Sequence, residues 1–573
     1  MTTKAELTAR MTAPGGAFEM VEETVNGLPM RVYKDAPASM RDVFLGTEDF
    51  ADRDYLIYRD EVLTYADFHA QVAQLANYLK AHGIGKGDRV AVGMRNYPEW
   101  VTSFWAVQVL GGIVVALNAW WTAPELVYAL ENANAKALIA DDERLERLAG
   151  EVERLGLHPV ISVRAESPIG NAVPLSDALA GQPTRLPEVE IGPEDFSTIL
   201  FTSGTTGKPK GAAHTQRNHI TNIWNSQLSG AVAAELAAEA LDAEIRAAMA
   251  QEEPPQGSML QTFPFFHIGG MTGLYMGTTG GMKVAVQYRW DPEEAVRLIE
   301  RHGLTSAGGV PTVVRQLLEA AERTGADVSS LAGISAGGAS VPPDLIRTIG
   351  SRFEAKVSPV NGYGLTETTS AVITNSGMDY LERPDSVGRP VPTADVKVVD
   401  ADGRELGDNE IGEVIAYGPN IIRGYWNNPT ATAEAFKDGW FYTGDLGYRD
   451  AEGFYYVVDR KKDVIIRGGE NVYCAEVEAA LLELDQVRDC ALVGVAHDVL
   501  GEEVGAIVQP ASAVFDPAAL EAELTAALGE RLARFKLPTK YRFTAEELPR
   551  TATGKLLKRD LKRWFAQTDV AAG

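Results

Sequence analysis

A segment near the middle of the chain, TSGTTGKPKG at residues 202–211, constrains the fold more than any other feature. It follows the strand-like stretch STILF and contains three glycines, four hydroxyl side chains and two lysines. Glycines allow backbone amides to converge on an anion, hydroxyl groups donate further hydrogen bonds, and lysines supply positive charge. Polar surface loops can share this composition, but the ordered pattern predicts a phosphate-binding loop at the end of a strand.

The segment differs from the kinase-type P-loop. That loop requires Gly-x4-Gly-Lys followed by serine or threonine, because the hydroxyl group binds magnesium. In this chain Pro209 follows Gly207 and Lys208, so the hydroxyl group is missing at that position. The kinase-type interpretation therefore fails, and the phosphate groups must be held in another way.

Length and charge limit the classes of function. A chain of 573 residues exceeds what one hydrophobic core supports, so several modules are expected. The net charge of −26 argues against nucleic acid or an anionic membrane surface as a partner. Positive charge is concentrated near the C-terminus, where residues 531–563 contain eleven Lys and Arg but three Asp and Glu. This local concentration suits an enzyme that handles an anionic nucleotide.

Cysteine content and hydropathy bear on the compartment. The two cysteines, Cys474 and Cys490, are typical of a protein in a reducing environment and argue against a disulfide framework. No signal peptide is recognisable, and the apolar stretch at 110–121 is too short to cross a bilayer. We expect a cytoplasmic protein without integral membrane association. A homodimer is one of the assemblies that the sequence leaves open.

Helical and strand-like segments alternate in the first half of the chain. Thr64 and Asp67 predict a capping box, followed by an apolar helix face that ends before Gly83. Strand-like segments follow at 89–93, 137–140 and 160–163. This alternation predicts an α/β fold in which helices cover a mostly parallel sheet.

The second half changes in character twice. An Ala- and Glu-rich stretch at 231–250 predicts an inserted amphipathic helix, which the two prolines at 254 and 255 end. Alternating apolar residues and Gly-containing turns predict a β-rich subdomain at about 386–458. A small α+β module follows. We therefore predict a large N-terminal domain at 1–459, a connection at 460–462 and a C-terminal domain at 463–573.

Five further motifs follow the phosphate-binding segment in a fixed order. Each motif alone is common, but the order and spacing of the whole set are specific. On these residues the chain resembles the adenylate-forming superfamily, which contains acyl-CoA synthetases, peptide-synthetase adenylation domains and beetle luciferases. The resemblance extends over about residues 53–565. The motifs are NGYGLTE (361–367), YTGD (442–445), DRKKD (459–463), RGGEN (467–471) and TGK (553–555).

The resemblance implies a two-step reaction that uses ATP, Mg²⁺ and coenzyme A. A carboxylate attacks the α-phosphate of ATP and gives acyl-AMP and pyrophosphate, and the thiol of CoA then displaces AMP. Acyl-CoA synthetases are the branch that the chain resembles most. Two alternatives stay open: an adenylating enzyme with another acceptor (an amide synthetase or a carrier-protein ligase), and a non-catalytic nucleotide-binding protein. Lys555, Glu367 and Asp445 argue against the second of these.

The resemblance also implies which residues bind ATP and AMP. They belong to the phosphate-binding segment, to the later motifs and to a Gly-rich turn before them. The set comprises Thr202, Ser203, Gly204, Thr205, Thr206, Gly207, Lys210, Gly338, Ala339, Asn361, Gly362, Tyr363, Gly364, Thr366, Asp445, Arg460 and Lys555.

Three of these motif residues are implied to be catalytic. Joining a carboxylate to a triphosphate requires positive charge where the two anions meet, and Lys555 matches the lysine that the family uses there. Glu367 would bind Mg²⁺, and Thr366 would lie near the α-phosphate. An ordinary solvated lysine is the alternative interpretation of Lys555.

Further roles concern the nucleoside. Tyr363 would stack on adenine, with Gly338 and Ala339 on the other side of the base. Asp445 would accept hydrogen bonds from the ribose hydroxyl groups, with Arg460 assisting. A carboxylate that caps a tight turn is the alternative interpretation of Asp445.

The acyl pocket is implied to be lined by His267, Gly269, Gly273, Gly338 and Gly362. Because glycines leave volume, we expect a roomy apolar pocket for a medium or long acyl chain or a bulky apolar acid. A histidine beside aromatic residues is more often a packed core residue, and we assign it no acid–base role.

The last implied roles concern movement and CoA. Lys462 matches the hinge about which the small C-terminal domain of the family rotates between the two steps, which makes that domain mobile. Gly468 and Gly469 would line the path of the pantetheine arm. Cys474 stands where relatives often have proline, and we expect a small packed residue there.

Overall fold

The computed structural model describes residues 2–167, 169–202, 208–239, 255–338, 341, 343–353, 358–551 and 554–566. Strands in these residues form two large sheets, two smaller five-stranded sheets and one hairpin. Helices cover the large sheets, so the prediction of a mixed α/β fold is confirmed. The hairpin joins Met20–Val25 to Leu28–Tyr33.

The first large sheet has seven strands. All its neighbouring strands run parallel except the first pair, which is antiparallel. The mostly parallel sheet predicted from the sequence is therefore confirmed. In order across the sheet the strands are Lys210–Thr215, Phe196–Thr202, Ile113–Ala116, Arg89–Gly93, Ala137–Asp141, Val160–Val163 and Val173–Pro174.

The second large sheet has nine strands, with a parallel centre and antiparallel strands at both edges. Its centre carries the segments that lead into the later motifs. In order across the sheet the strands are Arg389–Pro390, Ser370–Ser376, Ser358–Leu365, Gly333–Gly337, Ser306–Gly309, Ser258–Gln261, Lys283–Val286, Asp54–Tyr58 and Glu61–Thr64.

Two five-stranded sheets follow in the second half of the chain. The β-rich texture predicted for 386–458 corresponds to the first of them. Its strands are Asp395–Val399, Gly412–Tyr417, Phe436–Lys437, Trp440–Arg449 and Tyr455–Arg460. The second lies in the C-terminal part and has the strands Ile465–Arg467, Glu470–Val472, Val487–His497, Gly501–Pro510 and Lys540–Phe543.

Helices connect and cover these sheets, and three short 3-10 helices lie at Glu48–Phe50, Thr366–Thr368 and Arg534–Lys536. None of the helices in the described ranges is both long and apolar enough to span a membrane. The α-helices are Lys4–Thr12, Met40–Leu45, Tyr65–Ala81, Pro98–Val109, Ala123–Ala133, Asp142–Arg147, Glu151–Arg154, Leu175–Leu179, Gln216–Glu239, Ile268–Thr279, Pro292–His302, Pro311–Thr324, Pro343–Arg352, Met378–Glu382, Pro429–Ala435, Cys474–Leu482, Pro517–Gly529 and Lys558–Ala566.

The core lies between the two large sheets. One continuous cluster of buried side chains contains residues of both sheets and of the helices Tyr65–Ala81, Pro98–Val109 and Ile268–Thr279. The first of these helices begins with the predicted capping box, in which the Thr64 hydroxyl group accepts a hydrogen bond from the Asp67 amide. The capping prediction is confirmed, and the helices hold the two sheets in a fixed relation.

The helix predicted at 231–250 is confirmed for its described part, residues 231–239, but these residues do not form a separate inserted helix. Residues 231–239 are the end of the helix Gln216–Glu239, which begins fifteen residues earlier than the predicted insertion. No proline interrupts the sequence between these points, and Gly230 alone does not stop a helix that packs against the core. Residues 240–254 lie outside the described part of the chain.

Candidate active site

Most of the predicted site residues lie at the carboxyl ends of the parallel strands in the nine-stranded sheet. Four neighbouring strands run parallel, so their carboxyl ends meet at one edge. The segments that follow these strands carry His267, Val310, Gly338 and Thr366. Residues far apart in the sequence are thereby brought to one place.

The phosphate-binding segment joins two antiparallel strands at the edge of the seven-stranded sheet. Thr202 ends the first strand, and Lys210 begins the second, directly opposite it in the register. The hydroxyl group of Thr202 donates to the carbonyl oxygen of Lys210 over 3.4 Å. The predicted phosphate ligands Ser203, Gly204, Thr205, Thr206 and Gly207 lie outside the described residues, as does Ala339.

Two glycines of the NGYGLTE motif are required by packing between strands. A side chain at Gly364 would overlap the carbonyl oxygen of Ser370 on the adjacent antiparallel strand. At Gly362 a Cβ atom would lie 3.0 Å from that of Ala371. Asn361, which is buried, pairs with Ala336 on the parallel side of the same strand. The predicted roles of these three residues toward the nucleotide stay predictions.

Glu367 is held by a tyrosine from another part of the chain. It lies in the short helix Thr366–Thr368 and is 8 % exposed. The hydroxyl group of Tyr425 donates to Glu367 Oε1 over 2.7 Å, and Lys210 Nζ lies 5.1 Å from the centre of the Tyr425 ring. Burial raises the pKa of Tyr425, and the neighbouring carboxylate adds to the shift, so the phenol keeps its proton. Tyr425 thus links the predicted metal ligand to the phosphate-binding lysine.

Thr366 is held by a buried histidine. His214, on the strand that begins at Lys210, lies with its Nε2 atom 2.8 Å from the carbonyl oxygen of Thr366. Burial lowers the pKa of His214 to about 4, so the ring is neutral at physiological pH and its Nε2–H donates to this carbonyl. The strand after the phosphate-binding segment is therefore connected directly to the turn that carries Thr366 and Glu367.

Asp445 lies at the centre of a second group. The hydroxyl group of Tyr363 donates to Asp445 Oδ2 over 2.7 Å, and Arg460 Nε lies 3.1 Å from Oδ1. The carboxylate is 4 % exposed, and its Oδ1 accepts no hydrogen bond from the described residues. Arg460 supplies a countercharge to Oδ1, and this oxygen can in addition accept a hydrogen bond from a hydroxyl group of a bound ligand.

The described residues at the two ends of the Lys555 loop are joined by hydrogen bonds. The amide groups of Thr551 and Gly554 donate to the carbonyl oxygens of Lys555 and Thr551, over 2.7 and 2.8 Å. Arg550 donates from Nη1 to the carbonyl oxygen of Gly554 over 2.8 Å and from Nη2 to both oxygens of Asp489. These hydrogen bonds therefore fix the two ends of the loop relative to Arg550 and Asp489.

The same loop contacts the large sheets at Val310. Gly554 has a φ angle of +79°, and a Cβ atom there would lie 2.7 Å from Val310 Cγ2. Glycine is thus required both by the backbone conformation and by the close approach of Val310. The contact brings the neighbouring Lys555 into the site. Thr553 of the TGK motif lies outside the described residues.

The electrostatic surroundings of Lys555 are those of an active-site cation. Burial lowers the pKa of Lys555, and the positive charge of Arg460 adds to this, while Asp445 and Glu367 oppose the shift. The structure therefore brings Lys555 together with the three charged residues predicted to bind the nucleotide and the metal. A permanently solvated lysine, the alternative interpretation, does not match these surroundings.

His267 lies beside the same lysine. Burial lowers the pKa of His267 to about 3, and the positive charge of Lys555 adds to the shift. Its Nδ1 accepts a hydrogen bond from the Gly269 amide over 3.2 Å, where it caps the helix Ile268–Thr279. The neutral ring therefore has its proton on Nε2, where it can donate to a carboxylate.

The glycines predicted to line the acyl pocket differ in their surroundings. A Cβ atom added at Gly338 would make an ordinary contact with Phe263 at 3.5 Å, and so would one added at Gly269. Gly338 has a φ angle of +77°. A Cβ atom at Gly273 would instead overlap Gln261 Oε1. Gly273 thus makes room for the end of the Gln261 side chain, and its role in an acyl pocket stays a prediction.

Gly468 and Gly469 form the turn of a hairpin. Arg467 pairs with Glu470, and the two glycines between them have φ angles of +61° and +92°. Two successive positive φ angles are the requirement of a two-residue hairpin turn, which gives a conformational reason for both glycines. Their role toward CoA stays a prediction. Lys462 is exposed, and its charge acts on Lys555.

Comparison with known proteins agrees with this arrangement. The sequence model of the AMP-binding enzyme family matches residues 46–426, and that of the AMP-binding enzyme C-terminal domain matches residues 476–555. The first match alone covers more than half of the chain. The chain belongs to the AMP-binding enzyme family.

Individual relatives of this AMP-binding enzyme extend over almost its whole length. It is 36 % identical over 507 residues to a feruloyl-CoA synthase from Amycolatopsis sp., covering 88 % of this chain and 94 % of the relative. It is 33 % identical over 543 residues to a long-chain-fatty-acid–CoA ligase from Bacillus subtilis, covering 89 % and 92 %. The prediction of an AMP-forming acid–thiol ligase is therefore confirmed.

A solved structure is also similar to this AMP-binding enzyme. It is the O-succinylbenzoate coenzyme A synthetase of Bacillus subtilis in complex with ATP and magnesium ion, with a TM-score of 0.74 and 30 % identity. The match covers 91 % of this chain and 99 % of that one.

The residues of this enzyme fit ATP and a magnesium ion. A buried oxygen of Asp445 is available to a ribose hydroxyl group, and Glu367 offers a carboxylate, the type of ligand that Mg²⁺ prefers. Lys210 and Lys555 supply positive charge near that carboxylate. Bound magnesium would neutralise part of the phosphate charge during the reaction.

Three residues of the site were missed by the sequence analysis. Tyr425 and His214 hold Glu367 and Thr366, and Val310 receives the lysine loop. No sequence pattern predicts their contacts, because each acts through one contact with a residue far away in the chain, although His214 follows the phosphate-binding segment closely. The pairing of Ala212 with Tyr425 across the sheet edge is what brings Tyr425 to the site.

Proposed function

We propose that this AMP-binding enzyme is an acyl-CoA synthetase that converts a carboxylic acid, ATP and CoA into acyl-CoA, AMP and pyrophosphate. In the first step the carboxylate attacks the α-phosphorus atom and pyrophosphate leaves, which gives acyl-AMP. In the second step the sulfur of CoA attacks the acyl carbon, the acyl–oxygen bond to AMP breaks, and the thiol loses its proton. The observation that carries this proposal is the half-buried Lys555, which interacts electrostatically with Asp445, Glu367 and Arg460.

The first step depends on charge placed in advance. Lys555 would stabilise the negative charge where the carboxylate meets the α-phosphate, and hydrogen bonds at the ends of its loop would help to hold it there. Glu367 would bind the magnesium ion, with its orientation set by Tyr425. Asp445 would hold the ribose, and the proton on His267 Nε2 would contact the carboxyl group or the acyl-AMP.

For the acid we propose an aromatic or otherwise bulky acid that carries a polar substituent. Apolar surface near the predicted pocket comes from Phe263 and Val310 around Gly338. Polar groups lie close by, because Gln261 adjoins Gly273, and the side chain of Asn222 contacts Thr272 over 3.2 Å. Two of the relatives are named for aromatic acids of this kind, ferulate and succinylbenzoate.

A medium- or long-chain fatty acid is the second candidate. It is supported by the similarity to the long-chain-fatty-acid–CoA ligase and by the apolar contacts at Gly338. The polar side chains around Gly273 weigh against it, since they give this side of the predicted pocket a polar surface that a plain alkyl chain cannot hydrogen-bond.

We also propose that the residues from 463 onward form a mobile domain that rotates about Lys462 between the two steps. The same site cannot hold Lys555 against the nucleotide and also admit a thiol from that direction. Gly468 and Gly469 would then come close to the pantetheine arm, where their exposed backbone offers no side chain to obstruct it.

The proposal is tested with a panel of acids. Acid-dependent exchange of pyrophosphate into ATP should be observed with ferulate, 2-succinylbenzoate or a hydroxybenzoate, and more weakly with dodecanoate and palmitate. Release of AMP should then require CoA, and mass spectrometry should detect the acyl-CoA. Exchange without CoA-dependent turnover would indicate another acceptor, such as an amine. A clear preference for dodecanoate would favour the second candidate, and preference for acetate would contradict both.

A further inference from the structure

One helix of the C-terminal part, which begins at residue 463, is capped by a residue that precedes this part. The helix Cys474–Leu482 begins after Tyr473, whose side chain makes no capping hydrogen bond. The amide group of Cys474 instead donates to Asp459 Oδ2. Asp459 belongs to the strand Tyr455–Arg460, which pairs with Trp440–Arg449 in the preceding β-rich sheet. A carboxylate at the N-terminus of a helix also interacts favourably with the helix dipole.

A second charge from the C-terminal part lies against the same carboxylate. Lys558 begins the helix that follows the Lys555 loop, and its Nζ lies 2.8 Å from Glu478 Oε1 on the capped helix. Burial raises the pKa of Asp459, and the charge of Lys558 opposes that shift. The other oxygen of Asp459 accepts the amide of Arg460 over 2.7 Å. Asp459 thus interacts with two helices of the C-terminal part.

Lys462 lies between the two ends of this contact. Any rotation about Lys462 changes the position of Cys474 relative to Asp459, so the hydrogen bond belongs to one orientation. We propose that Asp459 is a positioning residue that stabilises the orientation in which Lys555 lies beside Asp445 and Glu367. This inference rests on the proposed two-step reaction and on the proposed rotation. Asp459 would affect the first step by stabilising this orientation, without contacting a substrate.

The two half-reactions should respond differently to a change at this residue. We expect Asp459→Ala to lower the rate of pyrophosphate exchange about five- to tenfold, which corresponds to the loss of a helix cap. Formation of acyl-CoA from synthetic feruloyl-AMP should be unchanged or faster, because the competing orientation becomes more populated. Asp459→Asn should have an intermediate effect, since its amide oxygen can still accept the Cys474 amide.

Asp516→Ala is the matched control. Asp516 caps the helix Pro517–Gly529 by accepting the amides of Ala518 and Ala519 over 2.9 and 3.1 Å, and all three residues lie after the proposed hinge. Its loss should lower the melting temperature to a similar extent but leave the ratio of the two half-reaction rates unchanged. Equal loss in both half-reactions for Asp459→Ala would overturn the inference.

A distance measurement tests the inference without any substrate. Spin labels at Met378→Cys and Val514→Cys would report on the orientation, because these positions are 65 % and 89 % exposed while Cys474 and Cys490 are buried. We expect one main distance in the otherwise unchanged protein and a second distance, or a broader distribution, after Asp459→Ala. A distribution identical to that of the Asp516→Ala variant would overturn the inference. A protein that adenylates no acid would refute the proposed function instead, and the distance would still decide the role of Asp459.

Discussion

Two groups of charged residues meet in the site, and they are held in different ways. Asp445 and Glu367 lie on the body formed by the large sheets and the β-rich sheet, where tyrosine hydroxyl groups fix both carboxylates. Lys555 lies on a loop whose described ends are hydrogen-bonded to each other and to Arg550 within the C-terminal part. Its position in the site depends on the contact of Gly554 with Val310 and on the orientation of that part.

Because of this difference, we expect nucleotide binding and the first chemical step to depend on different parts of the molecule. On the proposed rotation, groups fixed on the body would receive the nucleotide in any orientation of the C-terminal part, whereas the lysine would act in one orientation. Changes on the body should therefore affect nucleotide and metal binding, and changes on the loop should affect the first chemical step alone.

The largest effect is expected for Lys555→Ala. Loss of one preorganised cation should lower pyrophosphate exchange about 10²- to 10³-fold. The rate of acyl-CoA formation from synthetic acyl-AMP should be nearly unchanged. Lys562→Ala is the control, because Lys562 is an exposed lysine of the following helix that pairs with Glu502 over 3.2 Å. If Lys555→Ala retains normal exchange, the assignment of the loop to the first step is wrong.

Tyr425→Phe tests the body and should have the next largest effect. It removes a hydrogen bond to a buried carboxylate, worth about 1.5–3 kcal/mol, so exchange should fall about 10- to 100-fold. Part of the loss should be recovered at higher Mg²⁺ concentration, since Glu367 is proposed to bind that ion. Tyr363→Phe, the matched variant at Asp445, should instead raise the KM for ATP. A response of Tyr425→Phe that is independent of Mg²⁺ would contradict the metal assignment.

Gly554→Ala tests the contact between the loop and the body. The φ angle of +79° and the approach of Val310 both disfavour a side chain, at a combined cost of about 1–3 kcal/mol. Pyrophosphate exchange should fall about tenfold or more, while the second half-reaction should be retained. The double variant with Val310→Ala should recover part of the activity. Absence of any recovery would mean that the backbone conformation, and not the contact, is responsible.

The smallest effect is a shift in pH dependence. Burial lowers the pKa of Lys555, so the ammonium group loses its proton at lower pH than an ordinary lysine. The value of kcat/KM for the first step reports on the free enzyme and should fall as the pH rises through this lowered pKa. The decline should begin below the usual lysine range of about 10.4 and should be missing from the residual activity of Lys555→Ala. A decline centred in the usual range would contradict the burial of this group.

Much of the fold and part of the site follow from local sequence signals. The capping box at Thr64 and the strands at 89–93 and 137–140 were predictable because propensity and hydrophobic pattern agree there. The charged motif residues could be named because each carries a residue type that the chemistry requires. Their proximity could not be derived from local patterns, since it depends on the order of strands in the nine-stranded sheet.

Other features of the site have no local signal. Tyr425 and His214 each contact the site through a long-range hydrogen bond, which no pattern of neighbouring residues predicts. Gly273 was predicted to line an acyl pocket, and its sequence neighbourhood does not show that it also makes room for the end of the Gln261 side chain, which comes from another element. The helix predicted at 231–250 was placed by composition, whereas packing of the residues before it determines where the described helix begins.

The bond between His214 and Thr366 connects two parts of the site through one strand. The strand Lys210–Thr215 carries this histidine. If binding of phosphate groups displaced that strand, the displacement would reach the Thr366 carbonyl oxygen through His214. The same displacement would then reorient the carboxylate of the next residue, Glu367. Binding of the triphosphate would therefore increase the affinity for the metal, and binding of the metal would increase the affinity for the triphosphate.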